Sequence, residues 1–195
     1  MHRRTLRAVS AAAVLALLIP AVAQAQTGLG VRAGSFSVSG DHVEMDASTA
    51  FGAHLALGFI PVLKFQLGIE YLKGDATYDY DGYAAVENEF QSIGVYADVR
   101  YPIEVLPLVP VKPVVGGGLD LNVMSYWDEE TVAGLDPGAD LADFQHVGYH
   151  LIVGLLFDPP VLPFTITAEY RMQWISLEDD EVTNNGILLG LTFGF

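Results

Sequence analysis

Apolar residues recur at every second position along most of this chain. Phe51, Ala53, Leu55, Leu57 and Phe59 form one such row, and Phe65, Leu67, Ile69 and Tyr71 the next. Ile93, Val95, Ala97, Val99 and Tyr101 follow, then Val115, Gly117, Leu119, Leu121 and Val123. The pattern continues through Val147, Tyr149, Leu151, Val153, Leu155 and Phe157, then Phe164, Ile166, Ala168, Tyr170, Met172 and Trp174. It ends with Ile187, Leu189, Leu191, Phe193 and Phe195. A helix groups residues three and four apart, whereas a period of two sends alternate side chains to opposite faces of a strand. With a less regular first segment at 29–38, eight antiparallel strands are predicted: 28–38, 50–60, 64–73, 90–101, 111–124, 144–157, 164–175 and 186–195. The first should pair with the last. Most of these runs reach the roughly 9–11 residues that carry a tilted strand across a membrane.

The opposite face says which solvent each row meets. It carries Gln66, Gly68 and Glu70, then Gly94, Tyr96, Asp98 and Arg100, then Lys112, Gly116, Gly118, Asp120 and Asn122. Later it carries His146, Gly148, His150 and Gly154, then Thr167, Glu169, Arg171 and Gln173. Its acids, Glu70, Asp98, Asp120 and Glu169, are matched in number by Arg32, Arg100, Lys112 and Arg171. The whole chain carries a formal charge of −15, and a wetted row would be expected to share that bias. A balanced, glycine-rich row instead suits a crowded interior, where charges are tolerated only in pairs. Glu70, Asp120 and Glu169 are expected to pair there with Arg100, Lys112, Arg171 or Arg32. The apolar row then faces lipid.

The connections alternate in character. Residues 60–63, 102–110 and 158–163 are short, proline-rich links, whereas 39–49, 74–89, 125–143 and 176–185 are longer and polar. The four long segments hold 18 of the 24 acidic residues and no Lys or Arg. Asp128-Glu129-Glu130 and Glu178-Asp179-Asp180-Glu181 are the densest runs. Short turns at one end and long loops at the other is the asymmetry of an outer-membrane barrel, with turns periplasmic and loops extracellular. Aromatic girdles are expected from Phe59, Phe65, Tyr101, Phe157, Phe164 and Phe195 at the turn end, and from Tyr71, Phe90, Tyr126, Trp127 and Trp174 towards the loops.

Residues 1–25 read as a secretory signal peptide. Arg3, Arg4 and Arg7 precede an apolar run from residue 8 to about 22, and Ala23-Gln24-Ala25, with Ala21-Val22-Ala23 as the alternative, offers the small-x-small site at which such leaders are cut. Cleavage would leave residues 26–195 as a single domain with six basic and 24 acidic residues, a net charge of −18. There is no cysteine, hence no disulfide, thiolate metal site or lipoprotein anchor. The acidic balance argues against nucleic acid, whose phosphates select Lys and Arg. After the leader no run of 20 apolar residues remains for a membrane helix.

Taken together, residues 26–195 resemble the small eight-stranded outer-membrane barrels of the OmpA/OmpX type. The end of the chain, Gly190-Leu191-Thr192-Phe193-Gly194-Phe195, is similar to the terminal signal that the barrel-assembly machinery reads in that family. Gly190, Phe193 and Phe195 supply its glycine and aromatic positions. The family often has a polar residue two places before that glycine, where this chain has Leu188. The resemblance implies an outer-membrane location, a monomer, and contact with lipid, lipopolysaccharide and the assembly machinery.

Candidate chemistry is sparse. His54, His146 and His150 all fall on the inward face. His146 and His150 are four residues apart on one strand, about 13 Å at strand rise, too far to share an ion at bond lengths of about 2 Å. Interior hydrogen bonding is the better account. Some barrels of this size act on lipid A with Ser, His and an acid. Here Ser92 is inward, but Gly148 and Ile152, not serine, stand two places beyond His146 and His150. No nucleophile elbow is present. Asp79-Tyr80-Asp81-Gly82 is not an EF-hand, because Thr77 and Asn88 occupy its first and last ligand positions. The acidic runs at 128–130 and 178–181 either keep an outer face solvated or attract divalent cations weakly. No cofactor is implied. The expected role is structural or surface-interacting, with a lumen filled by side chains and without catalysis. The alternative is a narrow conduit or binding site for small apolar compounds, as in OmpW-type barrels, with Leu72, Val114, Ile152, Leu156 and Leu188 inward. A lipid A-modifying enzyme comes third.

Overall fold

The computed structural model describes residues 26–60, 62–79, 85–104, 110–125, 144–159, 162–176 and 181–194. The expected leader and Phe195 lie outside them. Among the described residues there is no helix, and the alternating segments are nine strands. They are β1 (Gln26–Ser39), β2 (Val43–Met45), β3 (Thr49–Ile60), β4 (Leu63–Tyr78), β5 (Val86–Pro102), β6 (Val111–Ser125), β7 (Phe144–Phe157), β8 (Phe164–Ser176) and β9 (Glu181–Gly194). From β3 to β9 each strand pairs antiparallel with the next, and β1 closes the ring by pairing with both β3 and β9. Arg32 lies opposite Gly190 and Leu29 opposite Phe193 across that closing ladder. Closure leaves the sheet no edge, as a wall in lipid requires.

Eight strands were expected, and the ninth is short. β2 pairs with β1 through Val38 and Met45, and with β4 through Val43 and Tyr78. Those are the neighbours that β3 has lower down, so β2 continues the lane of β3 after a break at 46–48. Ser48 bridges the break. Its N–H donates to Phe36 O at 2.8 Å, its hydroxyl donates to the same oxygen at 2.9 Å, and the hydroxyl oxygen accepts from Phe36 N–H at 3.3 Å. The interrupted ladder is thus satisfied by a side chain, as a buried backbone demands.

The apolar rows form an exposed outer belt. Leu119, Val147 and Ile187 are 63%, 64% and 62% exposed, far more than water tolerates for a continuous surface of this kind. Leu57 departs from its row. It is only 7% exposed, next to a register shift between Leu57 and Ile60.

The strands also run further than expected at the loop end. β4 has 16 residues and β5 has 17, against the roughly 9–11 that span a bilayer. In the extra length the polarity of the two faces is exchanged. Lys73, Asp75, Thr77 and Glu87 point out to solvent, while Ala76, Tyr78 and Phe90 are buried inside. β1, β2, β8 and β9 do the same, with Phe36, Val38, Val43, Met45, Ile175 and Val182 turned inward. An outward face that changes from apolar to charged marks where lipid gives way to water. Phe90, expected in a girdle, is instead fully buried in this cap. Tyr71 and Trp174 do sit on the outer surface near the boundary, where Tyr71 Oη donates to Gln91 Oε1 at 3.2 Å and Trp174 stacks on Tyr149 at 5.2 Å.

Candidate functional site: the barrel interior

The lumen is layered along the barrel axis. At the loop end lies an apolar cap, a buried cluster that includes Phe36, Met45, Leu72, Tyr78, Phe90 and Leu188. Phe36 can enter because Gly186 lies opposite it on β9, where any Cβ would collide with the ring. Below the cap comes an amide layer. Asn184 Nδ2 donates to Gln173 Oε1 at 3.0 Å, and Gln173 Nε2 donates to Asn122 Oδ1 at 3.5 Å. Beside these amides, Ser92, Tyr96, Glu70 and Asp120 border a cavity of about 10 Å³, the room of a single water molecule.

An ion network crosses the middle of the barrel. Arg100 donates from Nε and Nη2 to the two oxygens of Asp98, at 2.9 and 3.1 Å, and its Nη1 pairs with Glu169. Arg171 Nη1 donates to Glu70 Oε1 at 2.9 Å, and Arg32 Nε lies 2.8 Å from Glu70 Oε2. The Arg32 guanidinium stacks over the Tyr96 ring, 3.8 Å from its centre. Tyr96 fits only because Gly68, its cross-strand partner, leaves the space that the hydroxyl occupies. Strands β1, β4, β5 and β8 are tied across the lumen by these pairs, with both charges dehydrated together.

Two expected members behave differently. Lys112 stands at the start of β6, near the turns, and its ammonium pairs with Glu104 at 3.1 Å, with a quarter of the side chain exposed. It therefore does not join the central network, because its long chain reaches the aqueous rim at little cost. Asp120 takes no arginine; His150 Nδ1 lies 2.6 Å from its Oδ2. Sequence reasoning placed His150 inward but did not join it to this cluster, since strand parity gives a facing and not a neighbour.

His54 Nε2 meets Thr192 Oγ1 at 2.8 Å. Its Nδ1 is buried without a hydrogen-bond partner among the described residues. Among the described residues no carboxylate is hydrogen-bonded to that ring, as the acid of a hydrolytic triad would be. No group of three or more His, Cys, Asp or Glu suited to a metal ion occurs among the described residues. Of the apolar inward residues, Leu72 and Leu188 belong to the cap, while Val114, Ile152 and Leu156 are buried closer to the turns. There the lumen widens into an open cavity of about 650 Å³, bordered by Leu57, Ile60, Leu63, Leu162 and Phe164 together with Lys64, Lys112 and Asp158.

Gly190 faces inward opposite Thr167, and Phe193 lies on the outer surface in edge contact with Phe164 at 6.4 Å. Asp128, Glu129, Glu130, Glu178, Asp179 and Asp180 lie outside the described residues; Glu181 opens β9 and is exposed. On the outer wall of the cap, Lys73 Nζ lies 2.5 Å from Glu89 Oε2. That bond lowers the Glu89 carboxyl below its ordinary range and raises the Lys73 ammonium above its own.

The architecture has solved counterparts. Neisserial surface protein A superposes with a TM-score of 0.63 at 19% identity, over 87% of this chain and 97% of that one. The N-terminal barrel domain of Pseudomonas aeruginosa OprF gives 0.50 at 16%, over 88% and 100%. Pseudomonas aeruginosa OprG gives 0.52 at 11%, over 88% and 97%. At such identities the likeness establishes the fold. No curated protein matches the sequence. The family model of the outer membrane protein beta-barrel domain matches residues 9–195. The lipid-facing belt, the closed ring and this match together place the chain in the outer membrane, and it belongs to the outer membrane protein beta-barrel domain family.

Proposed function

We propose that this barrel has a structural or surface-interaction role: a non-catalytic wall-to-wall plug that carries its four loops on the outer face of the membrane. The layered lumen is the observation that supports this reading. An apolar cap lies over a one-water cavity and two sets of buried ion pairs, an arrangement that supports a lumen filled by its own side chains. Eight-stranded barrels have room for little beyond their own side chains. The experiment is solute flux in proteoliposomes. Swelling in sugar solutions is expected to be no faster than for protein-free vesicles. Swelling that rises with protein content would overturn this reading. Incubation with lipopolysaccharide followed by mass analysis of lipid A tests the non-catalytic part, with unchanged lipid A expected.

One observation favours a second reading. The turn-end cavity of about 650 Å³ is of the size that small ligands occupy, and part of its wall is apolar. On this reading the barrel holds a small apolar compound at that end without passing it through. Saturable binding of an apolar fluorescent probe, lost in Leu57→Lys, distinguishes it from the first.

A further inference from the structure

The central network is one cation short. Four carboxylates, Glu70, Asp98, Asp120 and Glu169, face three guanidinium groups, Arg32, Arg100 and Arg171. The fourth cation expected from the sequence, Lys112, is engaged at the rim by Glu104. An uncompensated carboxylate inside a barrel walled by lipid is strongly disfavoured.

His150 on β7 stands where that charge is needed. Its Nδ1 lies 2.6 Å from Asp120 Oδ2 on β6; its Nε2, buried and without a hydrogen-bond partner among the described residues, has Asp98 Oδ2 on β5 as a neighbouring charge at 3.8 Å. A neutral imidazole has one N–H and presents a lone pair at its other nitrogen. Between two carboxylates that lone pair would face an anion. Only the doubly protonated ring offers an N–H to each side. The other surroundings are compatible. Tyr96 on β5 meets the ring edge-on at 6.5 Å, and the cross-strand neighbours are Gly118 and Gln173. Arg171 on β8 carries a like charge but is itself bound to Glu70. Asp98 is shared with Arg100, which also holds Glu169.

We propose that His150 is a binding site for a structural proton, and that its imidazolium is the fourth cation of a charge-balanced interior set of four positive and four negative groups. The inference rests on the geometry of that network and is independent of the barrel's role.

The experiment is nitrogen NMR of the folded, histidine-labelled barrel in detergent at pH 7. The His150 signals are assigned through His150→Gln or, if that variant does not assemble, through contacts to the Tyr96 ring. Both ring nitrogens are expected in the protonated range, each with its own slowly exchanging proton. One protonated and one unprotonated nitrogen would overturn the proposal. Charge balance gives a second arm. Asp120→Asn leaves three carboxylates against three guanidinium groups, so the ring should then lose one N–H signal. Retention of both signals in an assembled Asp120→Asn barrel would show that charge balance is not what holds the proton, and would contradict the proposal as stated. If Asp120→Asn does not assemble, the wild-type signature alone decides.

Discussion

Arg100 and Lys112 share a parity in the sequence and part company in the barrel. Arg100 is 2% exposed between Asp98 and Glu169, whereas Lys112 sits one residue into β6 and leans out to Glu104. Depth along the strand separates them, and depth is set by where each strand begins relative to its neighbours. Alternation reads inward against outward; it does not read register. For the same reason the sequence shows that His150 faces the lumen but not that it stands between Asp98 and Asp120. The energies should differ accordingly. Arg100→Met strands two buried carboxylates and is expected to cost about 3–5 kcal/mol, the usual penalty for breaking a buried ion pair. Lys112→Met removes a rim pair of a kind worth about 0–1 kcal/mol. Urea unfolding of both variants in detergent, followed by the gel mobility of the folded form, measures the contrast. Equal midpoints would mean that the network contributes no more than a surface pair.

Strands β3 to β9 were legible because each keeps one apolar row over most of its length. What escaped was their upper ends. Residues 74–78 and 86–89 looked like acidic loop, yet they are strand, because the outward face above the lipid is charged and the inward face has become apolar. The parity never changes; only the solvent does. Asp75 and Glu87 are thus the outer face of a small water-exposed barrel whose core is Tyr78, Phe90 and the residues around them. The cap can therefore be loosened without unfolding the membrane part. Phe90→Asp buries a charge in apolar surroundings and should open the cap. Trypsin should then cut after Lys73, while the gel mobility of the protected membrane barrel stays folded-like. Wild type and Asp75→Ala should resist the same treatment. Resistance in Phe90→Asp would mean that the apolar cap does not hold these strands. At the other end, Phe193 packs on Phe164 in the surface belt. Deletion of Phe195, the final aromatic of the proposed assembly signal, should lower the yield of folded barrel in cells several-fold, as read by heat-modifiable migration. A wild-type yield would mean that the final aromatic is not read during assembly.

At the scale of the whole molecule, two exchanges of polarity define the protein. Across the wall, apolar outside and charged inside belongs to lipid; along the axis, the reverse arrangement belongs to water. The first exchange is visible in the sequence as strict alternation, and it carried the fold, the outer-membrane placement and the facing of the interior residues. The second, together with the filling of the lumen, depends on which side chains meet across the barrel. Phe36 over Gly186 and Tyr96 over Gly68 are pairs separated by about 150 and 28 residues in the chain, and their meeting follows from ring closure and register. On the proposed reading, such pairs fill space that would otherwise be open. Single-channel recording of the purified barrel in a planar bilayer distinguishes a filled lumen from an open one. A silent membrane is expected, with no unitary current attributable to the wild-type protein. A steady, reproducible unitary conductance would contradict it.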